Sequence, residues 1–387
     1  MTGRGRSSIP ERGDCLIMCS DEQCMREALR LAKRARGETS PNPLVGAVLT
    51  WRGTIIGRGW HRRAGLPHAE VEAIADARRR GSPTKGAALY VTLEPCSTPS
   101  RTPPCTGAIA EAGIARVVVG ATDPNPAHAG RAYRWLKRKG IVVEHGLLAD
   151  EAAEINLAFN HWMTTGLPFV TVKAAMTLDG KIATAAGDSK WITGPDARRE
   201  GMKLRHESDA ILVGVNTILA DDPSLTLRDI RRPKAEWRGP ALRRIVLDPK
   251  ARTPLGSRVL GEYTTFVVSR DAPAARLAKI KQECEVITCP LAKRGFRLKP
   301  LLRKLGGEGC THLLVEGGGE TNAAFIEAGL ANRLVFFYAP KILGGRDART
   351  AVSGAGLPFA RGLRLEKIHW RNLGPDLMLT ARIAGPL

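Results

Sequence analysis

His68-Ala69-Glu70, Pro95-Cys96 and Cys105 restrict what this chain can fold into more than any other pattern in it. One imidazole and two thiols are donors that zinc favours, and zinc takes about four donors in a tetrahedron. Three protein ligands leave one position for water, which at such a metal loses its proton near neutral pH. Glu70, two positions past the histidine at a helix start, is placed to move protons without ligating the metal. The donors stand at a helix start and in the loop that follows an apolar strand, contexts that alternate along the chain. An alternating α/β sheet supplies both.

The flanking pattern agrees. A helix is expected from Asp21, with Asp21 as its N-cap and Met25, Ala28, Leu29 and Ala32 at helical spacing. The runs Leu44–Leu49 and Thr54–Trp60, separated by Trp51-Arg52-Gly53, read as a hairpin. His68–Arg80 reads as a helix closed by Gly81, Ala88–Leu93 as a buried strand, and 94–105 as a Pro-rich loop. A helix from about Thr106, strand Ala115–Ala121, a helix from about Gly130, strand Ile141–Glu144 and a helix over Asp150–Trp162 complete the unit. His-x-Glu followed by Pro-Cys is the signature of zinc nucleobase deaminases. There the second thiolate follows in Cys-x-x-Cys, whereas here Cys105 comes nine residues after Cys96. Asn42, in the Ser40–Pro43 turn, can hydrogen-bond a pyrimidine edge.

With 387 residues, two domains are expected: a basic leader over 1–20, a zinc domain over 21–165, and a second domain over 166–387. No run reaches the roughly 18 apolar residues of a membrane span, and the leader lacks the apolar core of a secretory signal. A cytoplasmic protein without membrane contact is expected. Cys15, Cys19, Cys24, Cys284, Cys289 and Cys310 read as ordinary reduced thiols. The 59 basic against 38 acidic side chains raise nucleic-acid binding. Two thirds of that surplus lies after residue 166, outside the candidate deaminase, and no long block of like charge occurs. The reading is an Arg-rich solvated surface that steers phosphorylated small molecules, with no nucleic-acid partner.

The second half alternates again. Strands are expected at Phe169–Ala174, Ala210–Val213, Arg244–Leu247, Thr265–Ser269, Val286–Thr288 and His312–Val315. Helices are expected at Pro195–Glu207, Pro273–Glu283, Lys299–Leu305 and Thr321–Ala328. The runs Arg333–Tyr338, Leu363–Trp370 and Leu377–Ile383 read as antiparallel strands appended to a parallel core. Val315-Glu316-Gly317-Gly318-Gly319-Glu320-Thr321 joins a strand to a helix, where backbone N–H groups can approach a pyrophosphate. Read alone, it fits an unliganded glycine turn equally well, and it does not match the Gly-x-Gly-x-x-Gly fingerprint.

Pro41–Gly46, Gly65–Glu70, Thr92–Ser97, Thr102–Cys105 and Asp123–Pro126 with Ala129-Gly130 resemble the deaminase half of the bifunctional riboflavin-biosynthesis enzymes of the RibD or RibG type. Lys173, Leu178–Lys181, Ser189–Thr193, Leu219–Pro223 and the triglycine strand resemble their reductase half, so the resemblance spans about residues 21–383. It implies an N-terminal cytidine-deaminase-like three-layer α/β/α domain and a C-terminal dihydrofolate-reductase-like α/β domain. The implied activity is deamination of 2,5-diamino-6-ribosylamino-4(3H)-pyrimidinone 5′-phosphate, then NADPH-dependent reduction of its ribose to ribitol, in a homo-oligomer. His68, Cys96 and Cys105 would hold zinc, Glu70 would shuttle protons, and Asn42 and His61 would contact substrate. In the reductase half, Lys173 would be the critical lysine. Ser189, Arg205, Leu225, Arg228 and Glu316 would line the substrate pocket, with Arg205 and Arg228 as phosphate partners by charge. Ala175, Trp191, Thr217, Asp221, Gly318, Gly319, Glu320 and Thr321 would line the NADPH site. One stretch departs from the family: between the two cysteines this chain reads Ser97-Thr98-Pro99-Ser100-Arg101, without the usual histidine and glycine. Arg101 is then the cation left in that loop for the ribose phosphate.

Overall fold

The computed structural model describes residues 19–98, 103–228, 242–292 and 295–386. Most of the expected leader, Cys15 and Arg101 lie outside them. The chain divides into two compact units, one running through Arg34 and over Leu44–Ile155, the other formed by Ala35–Pro43 and Asn156–Leu387. Among the described residues, no helix is long and apolar enough to cross a membrane.

The first unit comprises α1 (Asp21–Ala32), β1 (Gly46–Trp51), β2 (Thr54–Trp60), α2 (Ala69–Arg79), β3 (Ala88–Leu93), α3 (Cys105–Glu111), β4 (Arg116–Ala121), α4 (Arg131–Arg138), β5 (Val142–His145) and α5 (Ala149–Glu154). Its five-stranded sheet has the order β2-β1-β3-β4-β5. The β1 strand is antiparallel to both neighbours, and β3, β4 and β5 are parallel. Alternation splits the strands between two cores. Leu89, Val91, Val117 and Val119 pack under α2, α3 and α4, whereas Val48, Tyr90 and Val118 pack under α1 and α5. The α1 helix starts at Asp21, and its N-cap lies one residue earlier than expected. Ser20, not Asp21, is the N-cap, in a reciprocal capping box with Gln23, an arrangement that contributes about 1 kcal/mol. Asp21 instead pairs with Arg116 at 2.6 Å and accepts the Tyr90 hydroxyl at 2.6 Å.

The second unit comprises α6 (Leu157–Thr165), β6 (Phe169–Thr177), β7 (Lys181–Ala183), α7 (Pro195–His206), β8 (Ala210–Gly214), α8 (Val215–Asp221), β9 (Arg243–Leu247), β10 (Thr264–Val268), α9 (Ala274–Ile280), β11 (Glu285–Thr288), α10 (Leu298–Gly307), β12 (His312–Val315), α11 (Gly319–Glu327), β13 (Arg333–Ala339), β14 (Arg349–Thr350), β15 (Leu363–Leu373) and β16 (Asp376–Pro386). Nine strands form one sheet in the order β11-β10-β9-β8-β12-β6-β13-β16-β15, and β7 pairs with β14. One face packs under α10 and α11 through Leu301, Leu305 and Phe325. The other packs under α7, α8 and α9 through Leu204, Ile218 and Ile280. Phe266, Phe325 and Phe337 are fully buried, each worth about 1.5–3 kcal/mol of transfer free energy.

Three expectations change here. The helix anticipated over Asp150–Trp162 is two helices, broken at Ile155-Asn156. The β13 strand is parallel to β6, and β16 is antiparallel to both of its neighbours, β13 and β15. A β12–α11–β13 crossover returns the chain in the same direction, as parallel strands joined by a helix must. The α8, β7 and β14 elements had no counterpart in the sequence pattern.

Candidate functional site

Two glycines set the height of the first centre. A Cβ on Gly57 would lie 2.2 Å from Ala73 O, and one on Gly59 would lie 2.2 Å from Ala69 O. The α2 helix therefore rests directly on β2, with its first turn fixed. His68 is the N-cap residue in extended conformation, so its ring projects ahead of the helix while Glu70 turns inward and is buried. Cys96 follows the end of β3, and Cys105 opens α3 after Pro104. His68 Nδ1 stands 3.2 Å from Cys105 Sγ and 3.5 Å from Cys96 Sγ. The three donor atoms all lie within 4.8 Å of one another. The Cys105 N–H donates to Cys96 Sγ at 3.2 Å. One imidazole and two thiolates converging in this way are a zinc donor set, so the residues fit the metal that their spacing implies.

The local electrostatics suit it. Hydrogen bonding from Cys105, together with His68, draws the Cys96 thiol down to about 4, while the Cys96 thiolate and burial push Cys105 up. Its hydrogen bond to Cys96 raises the imidazole pKa of His68. Burial pushes the Glu70 carboxyl up to about 7. His61 is buried, packs edge-on to His68 at 5.1 Å and meets Pro67 O at 3.2 Å through Nδ1; burial lowers its pKa. Asn42 belongs to the Ala35–Pro43 segment that groups with the second unit, where its N–H donates to Thr39 O.

Glu94 had drawn no attention. Its buried carboxylate accepts the N–H groups of Asp123, Gly130 and Ala132 at 3.2, 2.9 and 3.0 Å. It ties the 123–132 segment to the strand end that carries Cys96. In the sequence it is an acidic residue closing an apolar strand inside the Thr92–Ser97 stretch, with nothing to mark its contacts.

In the second unit, a cavity of about 1700 Å³ gathers every residue that the resemblance assigned to the reductase lysine, the substrate pocket or the NADPH site, whereas Leu178–Lys181 lie outside its lining. Lys173 and Ala175 reach it from β6 and Arg205 from α7; Thr217 and Asp221 reach it from α8. Glu316 and Gly318 follow β12, and Gly319, Glu320 and Thr321 open α11. Ser189, Trp191, Leu225 and Arg228 line it from loops. Gly318 is the N-cap of α11, and a Cβ there would meet nothing within 4 Å, so the turn leaves room for a ligand above the helix amides. Gly319 is required by packing instead, since its Cβ would fall 2.3 Å from Thr350 O. An open glycine turn over helix amides, in a cavity of this size, fits a dinucleotide.

Arg205 uses its fork on Glu316: Nε and Nη2 donate to the two carboxylate oxygens at 2.9 and 2.8 Å, and Nη1 donates to Thr226 O at 3.2 Å. Lys173 Nζ lies 3.8 Å from Glu316. Burial alone would raise the Glu316 carboxyl, but Lys173 and Arg205 hold it down at about 2. Lys190 pairs with Asp221 at 3.3 Å, and the Arg198 guanidinium lies 4.8 Å over the Trp191 ring. Leu225 is buried with φ at +52°. Arg198, Asn216 and Arg252 also line the cavity. Sequence reasoning missed them because isolated polar side chains carry no spacing signal.

Two family descriptions match the chain: the cytidine and deoxycytidylate deaminase zinc-binding region over residues 18–121, and the RibD C-terminal domain over residues 168–379. Riboflavin biosynthesis protein RibD of Aquifex aeolicus is 42% identical over 362 residues, covering 93% of this chain and 97% of that protein. The Escherichia coli K12 protein of the same name is 40% identical over 368 residues, covering 93% and 98%. Among solved structures, Acinetobacter baumannii RibD aligns with a TM-score of 0.83 at 36% identity, covering 94% of this chain and 99% of that one. A Thermotoga maritima protein, described as a diaminohydroxyphosphoribosylaminopyrimidine deaminase/5-amino-6-(5-phosphoribosylamino)uracil reductase, aligns with a TM-score of 0.78 at 34% identity over 94% and 99%. With both regions matched in order and full-length relatives at this identity, the chain belongs to the RibD family of riboflavin biosynthesis proteins.

Proposed function

We propose that this protein is a bifunctional enzyme of riboflavin biosynthesis. It hydrolytically deaminates 2,5-diamino-6-ribosylamino-4(3H)-pyrimidinone 5′-phosphate, then reduces the ribosyl chain with NADPH to give the ribitylamino-uracil phosphate. The carrying observation is the coexistence in one chain of the His68–Cys96–Cys105 triangle beside buried Glu70 and the Lys173–Glu316–Arg205 cluster in a cavity floored by the Gly318 turn. The family membership and the activities named for the Thermotoga relative support the same reading.

In the deaminase domain, His68, Cys96 and Cys105 hold zinc, which when bound supplies the Lewis acidity that makes water nucleophilic at neutral pH. Glu70 accepts the proton of the attacking water and delivers it to the leaving amine. Its burial keeps the carboxyl close in proton affinity to the groups it serves. His61 and Asn42 contact the pyrimidine, and Arg101 contacts the phosphate. In the reductase domain, NADPH supplies hydride. Ionised Glu316 holds the Lys173 ammonium beside the sugar, where a fixed cation gives electrostatic help as the sugar opens to its Schiff base, with charge developing on the departing ring oxygen. Ser189, Arg205, Leu225, Arg228 and Glu316 form the substrate side of the cavity. Ala175, Trp191, Thr217, Asp221 and Gly318 to Thr321 form the cofactor side.

On this reading residues 21–165 are the deaminase domain, 166–387 the reductase domain and 1–20 a leader. The protein works in the cytoplasm as a homo-oligomer on a small phosphorylated pyrimidine, without nucleic acid or membrane. Incubating purified protein with the diaminopyrimidinone phosphate, with and without NADPH, tests the activity. Mass spectrometry is expected to find the deaminated product alone without NADPH and the ribityl product with it. An unchanged substrate in both arms refutes the reading.

A further inference from the structure

The residues assigned to NADPH follow the order of the sheet. Ala175 lies on β6, Gly318 follows β12, and Thr217 lies in α8 after β8. In the order β6-β12-β8-β9 the next turn along the cavity is the one after β9, three strand intervals or roughly 14 Å from β6. That turn carries Arg252, which lines the cavity together with Asn216, the neighbour of Thr217. Arg252 Nη2 donates to Asn216 Oδ1 at 2.7 Å.

The turn is rigid. Asp248 is fully buried, and its carboxylate accepts the Arg252 N–H at 2.9 Å and the Thr253 N–H and hydroxyl at 2.8 Å each. Arg276 donates to Ala251 O and Thr253 O, each at 2.5 Å. The Arg252 guanidinium, by contrast, has no carboxylate partner among the described residues, although Lys190 and Arg205 in the same cavity are both ion-paired. An unneutralised guanidinium on a braced turn, with an amide fixing one arm of its fork, has the form of a phosphate site. A dinucleotide that places its nicotinamide beside Lys173 and its pyrophosphate at Gly318 brings its adenosine ribose toward this turn.

We propose that Arg252, oriented by Asn216, binds the 2′-phosphate of NADPH and gives the reductase its preference over NADH. This rests on the reading that NADPH occupies this cavity. Other cations without a carboxylate partner among the described residues also line the cavity: Arg198 and Arg228 on the side assigned to Trp191 and the substrate, Arg349 from β14, and Arg297 and Lys299 from the start of α10, on the opposite face of the sheet from α8.

Calorimetric titration of the full-length protein with NADP+ and with NAD+ tests the proposal. Arg252→Ala is expected to raise the Kd for NADP+ by at least about tenfold, the loss of charge-assisted hydrogen bonds, while leaving NAD+ binding within about twofold. Arg252→Lys, which keeps the charge without the fork, falls between the two. Retained NAD+ binding shows that the variant site is folded. If Arg252→Ala fails to fold, the Lys variant decides by the same NADP+ to NAD+ ratio. An unchanged ratio in both variants overturns the proposal, as does loss of the preference in Arg297→Ala instead. A wild-type protein that binds neither dinucleotide removes the cavity reading itself, an outcome separable from the failure of Arg252 alone.

Discussion

Arg205 and Glu316 meet as a two-point ion pair at 2.8 and 2.9 Å, with both side chains about nine-tenths buried. A guanidinium held this way is neutralised before any ligand arrives, so Arg205 supports Glu316 first. Removing one member of a buried pair leaves an uncompensated charge, costing about 3–5 kcal/mol. Arg205→Ala is expected to lower the thermal midpoint of the reductase domain and its activity, with zinc content unchanged. Arg205→Ala with Glu316→Gln is expected to recover part of the midpoint without activity. A double variant no more stable than the single would assign the loss to packing.

The metal triangle gives a cleaner separation. Cys96→Ala removes one of three ligands, so zinc and deamination are both expected to be lost while reduction of supplied deaminated intermediate continues. Metal analysis and two single-step assays check this. Full deamination by a zinc-free preparation would contradict it.

Glu70→Gln preserves shape and every ligand but removes the proton acceptor. The expected outcome is normal zinc content with deamination slowed by at least about 100-fold, the usual range for a lost general acid–base. A rate within a few-fold of wild type would hand the proton to another group.

For Arg101, charge-assisted bonds to phosphate contribute roughly 1.5–3 kcal/mol. Arg101→Ala is therefore expected to raise the deaminase KM by about tenfold or more, with a smaller change in kcat. Steady-state kinetics decide it. An unchanged KM sends the phosphate to a different cation.

His312 sets an acid limit on the second unit. Its ring is fully buried between Thr171 Oγ1 at 2.8 Å and Glu207 O at 2.8 Å. Burial and the nearby Arg333 charge lower its pKa from 6.5 to about 4, against the hydrogen bond to the Glu207 carbonyl and the charge of Asp209. Above pH 6.5 neither the folded nor the unfolded form is protonated. Between about 6.5 and 4 only the unfolded chain takes the proton, so stability falls as pH drops across the window. Denaturant midpoints of wild type and His312→Gln from pH 7.5 to 4 check this. The variant is expected to lose that part of the slope.

Local signals made most of the elements legible: strand Ala88–Leu93 and the start of α7 at Pro195 stand where apolar runs and a helix-opening proline put them. Direction was not legible for β13. Arg333–Ala339 has the same apolar run whether it lies parallel or antiparallel, and only the α11 crossover decides. The Asp21 N-cap failed because Ser20 and Asp21 are both good caps, and Gln23 at the third position favours Ser20. At the sites, His68, Cys96 and Cys105 announced themselves because metal geometry forces residue type and context together. Glu94, Arg198 and Arg252 gave no such notice, since their meaning comes from contacts made across the sheet.

The seam between β2 and α2 has a bearing on where this enzyme tolerates change. Gly57 and Gly59 touch the backbone of α2 with no side chain between them, so the contact has no soft layer to absorb a misfit. A methyl group added at either position has to be accommodated by moving the helix as a rigid body, and the helix carries His68 and Glu70 at its leading end. A substitution at either glycine therefore reaches His68 and Glu70 through the helix rather than by contact. Variants that inactivate the deaminase half are therefore expected at small residues of β2 as well as at the metal ligands.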